Sequence, residues 1–240
     1  MNPHPGKTII AFGEGEGEER ALPKLIKRVL QDAGPHADYT PVIQIAPAAW
    51  RVGHLERLCK NNGQFWKEKL CLASEKRGAS AVLLLLDGDR PSHLGSPPHC
   101  VGSAAGQLAA WACEVGAGKT FSVAVVIARQ EMESWFIAGA QLLKVAPDGK
   151  GPLLKVNAQV PADDLELSPR DAKRWLDENM PQGYKPTVDQ VRLAQCVRVA
   201  MIREHKLRSF QRFEKAVLEL HDAIISGRHV ATPVTRKPFN

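Results

Sequence analysis

Short runs of apolar residues alternate with segments of helical periodicity through the first 145 residues. Apolar runs typical of strands occupy residues 7–13, 39–46, 81–86 and 121–128. Apolar residues recur at helical spacing over residues 18–31, 65–75, 103–115 and 131–145. This alternation predicts an α/β fold with a mostly parallel sheet and flanking helices. The run Ala81–Leu86 is apolar on both faces, so it is predicted at the centre of the sheet.

The composition changes after residue 146, which separates a predicted α/β domain (1–146) from a helical part. Residues 147–168 carry prolines, glycines and charges with little periodicity and are predicted to form a linker or excursion. Residues 169–227 are predicted to form a helical C-terminal subdomain packed on the first domain, with helices at 169–178, 188–203 and 209–225. A basic, flexible tail is expected over residues 228–240.

Composition excludes a membrane-spanning protein. Hydrophobic residues make up 44% of the chain and charged residues 24%, as in ordinary globular proteins, and no stretch approaches the roughly 20 apolar residues of a transmembrane helix. The N-terminus lacks the residue order of a signal peptide. The five cysteines are scattered without a CxxC pair, which favours buried thiols in a reducing compartment. A cytoplasmic protein without a membrane partner is predicted.

The charge is unevenly distributed, although the net charge of +6 is mild. Acidic residues concentrate at 14–19, and basic residues dominate the last third of the chain. A negative centre beside a positive flank suits an enzyme that binds metal with one part and a phosphate backbone with another. A solvated helix face explains the basic residues equally well.

Acidic residues follow three of the predicted strands. Ligands of an open parallel sheet bind beyond the carboxyl ends of its strands, so these acids are expected to meet at one edge. Carboxylates that converge repel one another unless a cation is present, and oxygen ligands favour Mg²⁺ or Mn²⁺. Each acidic loop taken singly is more typical of a solvated turn or a helix N-cap, but the agreement of three favours a site. The acids are Glu14, Glu16, Glu18, Glu19, Asp87, Asp89, Glu131 and Glu133.

Several blocks of the sequence resemble known families. The acids after the first strand and the Asp87-x-Asp89 pair are similar to those of the Toprim domain of topoisomerases, bacterial primases and small ribonucleases, and the Glu14/Glu18 spacing resembles that of nucleases of the overcoming-lysogenization-defect type. More closely, residues 8–220 resemble the family known as domain of unknown function 4276 through the blocks FGEGEGEERALPKLIKRVL, LLLLDGDRP, ARQEMESWFIAG, YKPTVDQ and SFQRF. The resemblance implies a Toprim-like, Rossmann-like fold and a nuclease, often in bacterial phage-defence loci beside an ATPase.

The resemblance also implies roles for individual residues. Glu14, Asp87 and Asp89 would hold the principal metal ion, while Glu18 and Glu133 would bind a second ion or orient a water, and Glu131 completes the candidate metal ligands. Glu14, Glu18, Asp87, Asp89 and Glu133 are the candidate catalytic residues. Two ions would clamp the attacking and leaving oxygens, whereas with one ion an acid would transfer the proton; the sequence leaves both open.

The helical part supplies the candidate nucleic-acid contacts Lys173, Lys185 and Arg192, each of which alone is more typical of a soluble surface. Trp135 is predicted to pack in the core. The proline-rich loop of residues 90–102 is predicted to be mobile and to shape access to the site.

Three functions remain open from the sequence. The leading hypothesis is a metal-dependent nuclease, acting on DNA rather than RNA, alone or with an ATPase partner. A Toprim-like module without catalysis, which binds nucleic acid or a partner protein, is the alternative. A metal-dependent phosphohydrolase or nucleotidyl transferase acting on a small substrate is the third.

Overall fold

The structure is a computed structural model of the 240-residue chain. It describes residues 7–32, 43–76, 78–88, 101–140, 146, 148–162 and 164–234. The predicted site residue Asp89 and loop residues 90–100 lie outside these ranges, as do residues 39–42, 141–145 and 235–240, on which parts of other predictions fall.

The described residues form a six-stranded parallel sheet with helices on both faces, which confirms the predicted α/β class. The strands are β1 (Lys7–Gly13), β2 (Ile43–Ile45), β3 (Trp50–Arg51), β4 (Ala79–Asp87), β5 (Ser122–Ala128) and β6 (Ala231–Thr232). They lie in the order β2-β1-β4-β5-β6, and β3 also pairs with β1. As predicted, the central strand β4 is apolar on both faces, with Val82–Leu86 buried.

The helices divide between the two faces of the sheet. They are α1 (Glu16–Asp32), α2 (Leu55–Cys59), α3 (Gln64–Ser74), α4 (Val101–Glu114), α5 (Glu133–Ala140), α6 (Ala172–Asn179), α7 (Pro186–Cys196), α8 (Val199–Glu204) and α9 (Arg208–Ser226), with a 3₁₀ turn at Lys60–Gly63. Because side chains alternate along a strand, Ile9 and Ala11 pack towards α1 and α5–α9, whereas Ile10 and Phe12 pack towards α2–α4. None of these helices is both long and apolar enough to cross a membrane.

Pro23 ties α1 to the loop between β2 and β3. Proline has no N–H, so the carbonyl of the residue four positions earlier loses its helical donor. That residue is Glu19, and its carbonyl instead accepts a hydrogen bond of 2.7 Å from the backbone N–H of Ala49. The helix thus holds the segment that leads into β3, which runs beside the end of β1.

The single helix predicted over residues 188–203 is two helices in the structure. Val197 and Arg198 have extended backbone conformations between α7 and α8, and Arg198 N–H donates to the Gly139 carbonyl at 3.2 Å. A Cβ added at Gly139 would lie 2.8 Å from Val197 Cβ. The break in the helix therefore lets Val197 pack directly on the backbone of α5.

The predicted linker over residues 147–168 is, where described, an irregular segment that contributes to the core. Leu153, Leu154 and Leu165 are buried there. The buried carboxylate of Glu166 accepts hydrogen bonds from the Arg208 and Ser209 N–H groups at the start of α9, which would otherwise lack partners. The segment is therefore fixed to the helical part by packing and by this helix cap.

The flexible tail is predicted to start at residue 228, but residues 231–232 form a strand of the sheet. Ala231–Thr232 pair in parallel with Val123–Ala124, and Val123 N–H donates to the Val230 carbonyl at 2.8 Å. A two-residue strand has too few positions for a periodic pattern, so its pairing partner alone determines it.

Buried and exposed side chains follow the predictions in part. Trp135 is fully buried, as predicted, and its Nε1–H donates to Ser209 Oγ at 2.9 Å. The cysteines were predicted to be buried, but Cys71 and Cys113 are exposed free thiols. Cys71 lies on α3 and Cys113 on α4, and both face solvent and not the sheet.

Candidate functional site

The candidate site lies beyond the carboxyl ends of β1 and β4. From β1 the chain continues to β2 on one side of the sheet, whereas from β4 it continues to β5 on the other side. Such a reversal leaves a crevice between the two strand ends, where open α/β sheets bind their ligands. Glu14 follows β1 directly, and Asp87 is the last residue of β4.

Glu14 joins the ends of the two strands. Its Oε1 accepts a hydrogen bond of 2.9 Å from the backbone N–H of Asp87. Its Oε2 lies 2.7 Å from Nδ1 of His54, the residue before α2. The Glu14 side chain is 13% exposed and the His54 side chain 82%. Glu14 is therefore fixed from the sheet on one side and meets an exposed imidazole on the other.

Asp87 is a buried carboxylate among other acids. Its Oδ1 accepts a hydrogen bond of 2.9 Å from Met132 N–H, and its Oδ2 lies 3.5 Å from Lys173 Nζ. Burial, followed by the negative charge of Glu133, raises the pKa of Asp87 well above its ordinary value, and the nearby Lys173 offsets this only in part. The site is thus deficient in positive charge.

Glu131 and Lys173 link the loop after β5 to α6. Glu131 Oε2 accepts hydrogen bonds from the N–H groups of Ala172 and Lys173 at the start of α6, where a carboxylate complements the helix dipole. Its Oε1 lies 2.8 Å from Lys173 Nζ. Burial by itself lowers the pKa of Lys173, but the charges of Glu133 and Asp87 outweigh it and raise that pKa above its ordinary value. Lys173 is therefore a permanent cation between these acids.

Glu133 is fully buried and held by α7 and the segment before it. Its Oε1 accepts hydrogen bonds from Tyr184 Oη–H at 2.8 Å and from Gln190 Nε2–H at 2.9 Å. Its Oε2 has no hydrogen-bond partner among the described residues. Burial raises the pKa of Glu133, and burial together with the charge of Glu133 also raises the pKa of Tyr184.

The same glutamine connects Glu133 to Glu18. Gln190 Nε2 also lies 3.2 Å from Glu18 Oε1, while Glu18 Oε2 accepts from Gly15 N–H at 2.9 Å. A Cβ at Gly17 would lie 2.0 Å from Gln190 Oε1, so a larger residue at position 17 would displace the Gln190 amide from Glu18 and Glu133. The helical part thereby orients two of the predicted acids.

The donor chemistry of this cluster fits a hard divalent cation. Its donors are carboxylate oxygens, as Mg²⁺ and Mn²⁺ prefer, and the buried Glu133 Oε2 lacks a partner within the described ranges. The residues that the structure describes contain no group of three or more His, Cys, Asp or Glu side chains that together could hold a metal ion. The predicted ligand Asp89 lies outside them.

The structure places the other predicted residues as follows. Glu14 contacts Asp87, which is joined to Glu131 through Lys173, and Glu18 and Glu133 are joined through Gln190. Lys185 is exposed at the start of α7, where its N–H donates to Asp189 Oδ2. Arg192 binds Asp148 through Nε at 2.9 Å and donates to the Gly151 carbonyl.

Three residues at the site carried no functional prediction. Tyr184 and Gln190 lie within the block YKPTVDQ, so the resemblance marked their position without indicating their partners. His54 is a single histidine before a five-residue helix, and nothing in its sequence context indicates a contact with Glu14. Each contact joins residues more than 35 positions apart.

The comparison with protein families agrees with the blocks identified in the sequence. The model of the family described as "Domain of unknown function (DUF4276)" matches residues 13–218, which include every site residue described above. No curated protein and no solved structure matches the chain. Since the match covers most of its length, the chain belongs to the DUF4276 family.

Proposed function

We propose that this protein is a divalent-metal-dependent nuclease that hydrolyses the phosphodiester bonds of DNA. The observation that carries the proposal is the charge imbalance at the crevice between β1 and β4. There five carboxylates, those of Glu14, Glu18, Asp87, Glu131 and Glu133, are accompanied by the single ammonium of Lys173 among the described residues. Burial, followed by the negative charge of Glu133, raises the pKa of Asp87, and a divalent cation would neutralise the excess of negative charge.

Glu14 and Asp87 would hold the cation, together with Asp89, as expected from the sequence. When bound, such an ion stabilises charge on the phosphoryl oxygens and activates water for attack. The chain's own groups hold the ligands in place: Asp87 N–H orients Glu14, and Met132 N–H orients Asp87. Lys173 Nζ, 3.5 Å from Asp87 Oδ2, is placed to donate to a phosphate oxygen beside the cation.

Further parts of the proposal rest on the sequence. The phage-defence setting and the ATPase partner are what the resemblance to the DUF4276 family implies, and the preference for DNA over RNA is an expectation from the sequence. A cytoplasmic location is supported by the scattered cysteines and by the exposed free thiols of Cys71 and Cys113, since such thiols persist in a reducing compartment.

Cleavage of supercoiled plasmid tests the proposal. The purified protein is incubated with plasmid and Mg²⁺ or Mn²⁺, alone and with EDTA, and nicked and linear products are quantified. Metal-dependent cleavage that is lost in Asp87→Asn supports a nuclease. Glu16→Gln is the matched control, because Glu16 lies at the start of α1, two residues after Glu14, with a 61% exposed side chain and, among the described residues, only a long 3.9 Å ion pair to Arg51.

One observation favours the alternative of a binding module without catalysis. Lys173 already contacts Asp87 and Glu131, so part of the negative charge is neutralised within the protein. A protein that binds DNA but leaves plasmid intact with either metal, with and without the candidate ATPase, would be such a module.

A further inference from the structure

The segment from β3 to α3 is largely exposed and rich in basic residues, and it lies beside Glu14. Residues 51–76 contain six lysines and arginines against three glutamates. Gly53 N–H donates to the Glu14 carbonyl at 3.2 Å, and His54 contacts the Glu14 carboxylate. A phosphate backbone that approaches the acidic crevice is repelled unless positive charge lies close by. This basic segment adjoins the crevice directly.

Arg57 is held in place without a carboxylate partner among the described residues. Its guanidinium lies 4.0 Å from the centroid of the Phe65 ring. A Cβ added at Gly53 would be 3.7 Å from Arg57 Nη1, so the guanidinium lies against the residue that is bonded to Glu14. Stacking on an aromatic ring leaves the in-plane N–H donors free, which is the arrangement that binds phosphate.

A second cation lies near the same aromatic ring. Lys69 Nζ is 5.3 Å from the Phe65 centroid, so two positive charges share one ring. With Arg57 over the ring, Phe65 supports a cation, which favours contacts with phosphates over base stacking.

The turn between α2 and α3 presents further polar groups. Lys60, Asn61 and Asn62 are exposed, and the two asparagines adopt left-handed backbone conformations with φ of 50° and 54°. Consecutive left-handed residues other than glycine cost free energy and cluster at functional sites. Gly63, also left-handed, is fixed against Trp111, 2.4 Å from where a Cβ would be. The turn is therefore anchored and its polar tip exposed.

Several cations of the helical part, in contrast, already have a carboxylate partner. Arg192 binds Asp148, Arg203 binds Asp32 and Glu214, and Arg174 and Lys215 lie beside Glu178 and Glu219. A cation that already has a carboxylate must exchange it for a phosphate, so it contributes little net affinity. The excess of basic residues in the last third of the chain therefore overstates the positive charge that is available to an anion there.

We propose that the phosphate backbone of duplex DNA binds the basic wall, defined as Arg57, Lys60, Asn61, Asn62 and Lys69, and not the exposed basic surface of the helical part, from which Lys173 alone reaches the scissile phosphate. The inference rests on the proposed nuclease function and adds the surface that receives the substrate. The wall holds the duplex without base contacts, so binding is independent of sequence and weakens as salt is added.

Fluorescence anisotropy with a labelled mixed-sequence DNA duplex tests this surface. Binding is measured in EDTA and again with Mg²⁺ over a range of salt concentrations. The double variant Arg57→Gln/Lys60→Gln should bind about tenfold more weakly, and the slope of log K against log salt should fall by about 2. Lys60→Gln/Lys69→Gln, which leaves Arg57 on Phe65, should behave alike and guards against loss of folding in the first variant.

Arg212→Gln/Lys215→Gln is the matched control, since it removes the same residue types from the exposed surface of α9. It should bind within about twofold of wild type. If both wall variants bind as wild type does, the surface assignment is overturned while the nuclease proposal stands. If the wild-type protein neither binds duplex DNA nor cleaves plasmid, both proposals fail together. Retained binding of RNA alone also overturns the duplex-DNA assignment.

Discussion

The candidate site has two sides, which differ in how their acidic side chains are held. On the inner side, Glu133 is buried, bonded to Tyr184 and Gln190, and close to Lys173. On the outer side, Glu14 meets the exposed His54 and adjoins the basic wall. The inner side is part of the protein interior, so the loss of a hydrogen-bond or ionic partner there should lower the free energy of unfolding. The outer side is open to a ligand, so changes there should affect activity and binding more than stability.

The largest effect is expected at Asp87, which lies where the two sides meet. Asp87→Asn keeps an oxygen for Met132 N–H but removes the negative charge needed to hold a divalent cation. We expect the rate of plasmid cleavage to fall at least about 100-fold, since metal-site residues have effects of this size or larger. Initial rates at saturating Mg²⁺ measure it. A cleavage rate near that of wild type would remove Asp87 from the metal site.

Lys173 should be the most important residue for the stability of the inner side. Lys173→Met leaves Asp87 and Glu131 without their cation, and the free energy of unfolding should fall by about 2 kcal/mol, less than for a fully buried pair because the side chain is 37% exposed. Urea unfolding measures the change. Added Mn²⁺ should raise the Tm of this variant more than that of wild type.

The neighbouring Arg174→Met is the matched control for Lys173. Arg174 is 76% exposed and pairs only with Glu178, one helical turn away, among the described residues, so its loss should cost less than about 0.5 kcal/mol. Equal losses in the two variants would mean that Lys173 is a surface residue in solution. The metal rescue would then lose its basis as well.

Variants of Tyr184 and His54 allow a direct comparison of the two sides. Tyr184 hydrogen-bonds to Glu133 on the inner side, and His54 contacts Glu14 on the outer side. Tyr184→Phe removes a buried hydrogen bond to Glu133 and should lower the free energy of unfolding by about 1.5 kcal/mol. His54→Gln removes an exposed contact and should cost less than about 0.5 kcal/mol. Chemical denaturation of both variants under one condition gives the answer, and a reversed order would contradict the division into inner and outer sides.

The fold was predictable where local pattern determines structure. The strands β1, β4 and β5 are apolar on both faces, and such runs mark buried parallel strands in any context. The strands β3 and β6 have two residues each, too few for a pattern. The break between α7 and α8 depends on Gly139, a residue nearly 60 positions away, so helical periodicity across residues 188–203 could not reveal it.

The candidate site was predictable in its acids and not in their partners. Strand ends place Glu14, Asp87 and Glu131 at one edge by topology alone. Which cation lies beside them depends on tertiary packing, and Lys173 and Arg192, both predicted as nucleic-acid contacts, have different partners. Arg192 is held by Asp148, whereas Lys173 lies among the site acids. The cations of the basic wall, which have no carboxylate partner among the described residues, come from a segment with no distinctive motif.

A further expected effect is the pH dependence of stability in the absence of metal. Asp87 and Glu133 have raised pKa values in the folded protein, chiefly through burial, so above their ordinary values of 3.8 and 4.5 the folded state binds more protons than the unfolded chain. Their contribution to stability is complete below those values and is lost as the pH rises through the raised ones. The loss should be on the order of 1 kcal/mol, measured by urea unfolding in EDTA from about pH 4 upward.

Asp87→Asn separates this contribution from the other titrating groups. The variant cannot lose a proton at position 87, so its stability should fall less steeply with pH than that of wild type, and at neutral pH in EDTA it should be the more stable protein. Mg²⁺ should act in the opposite direction on wild type, stabilising it more as the pH rises, because a metal ligand must be deprotonated. Parallel pH curves for the two proteins would mean that the crowded carboxylates titrate normally, and the charge imbalance on which the metal site rests would be absent.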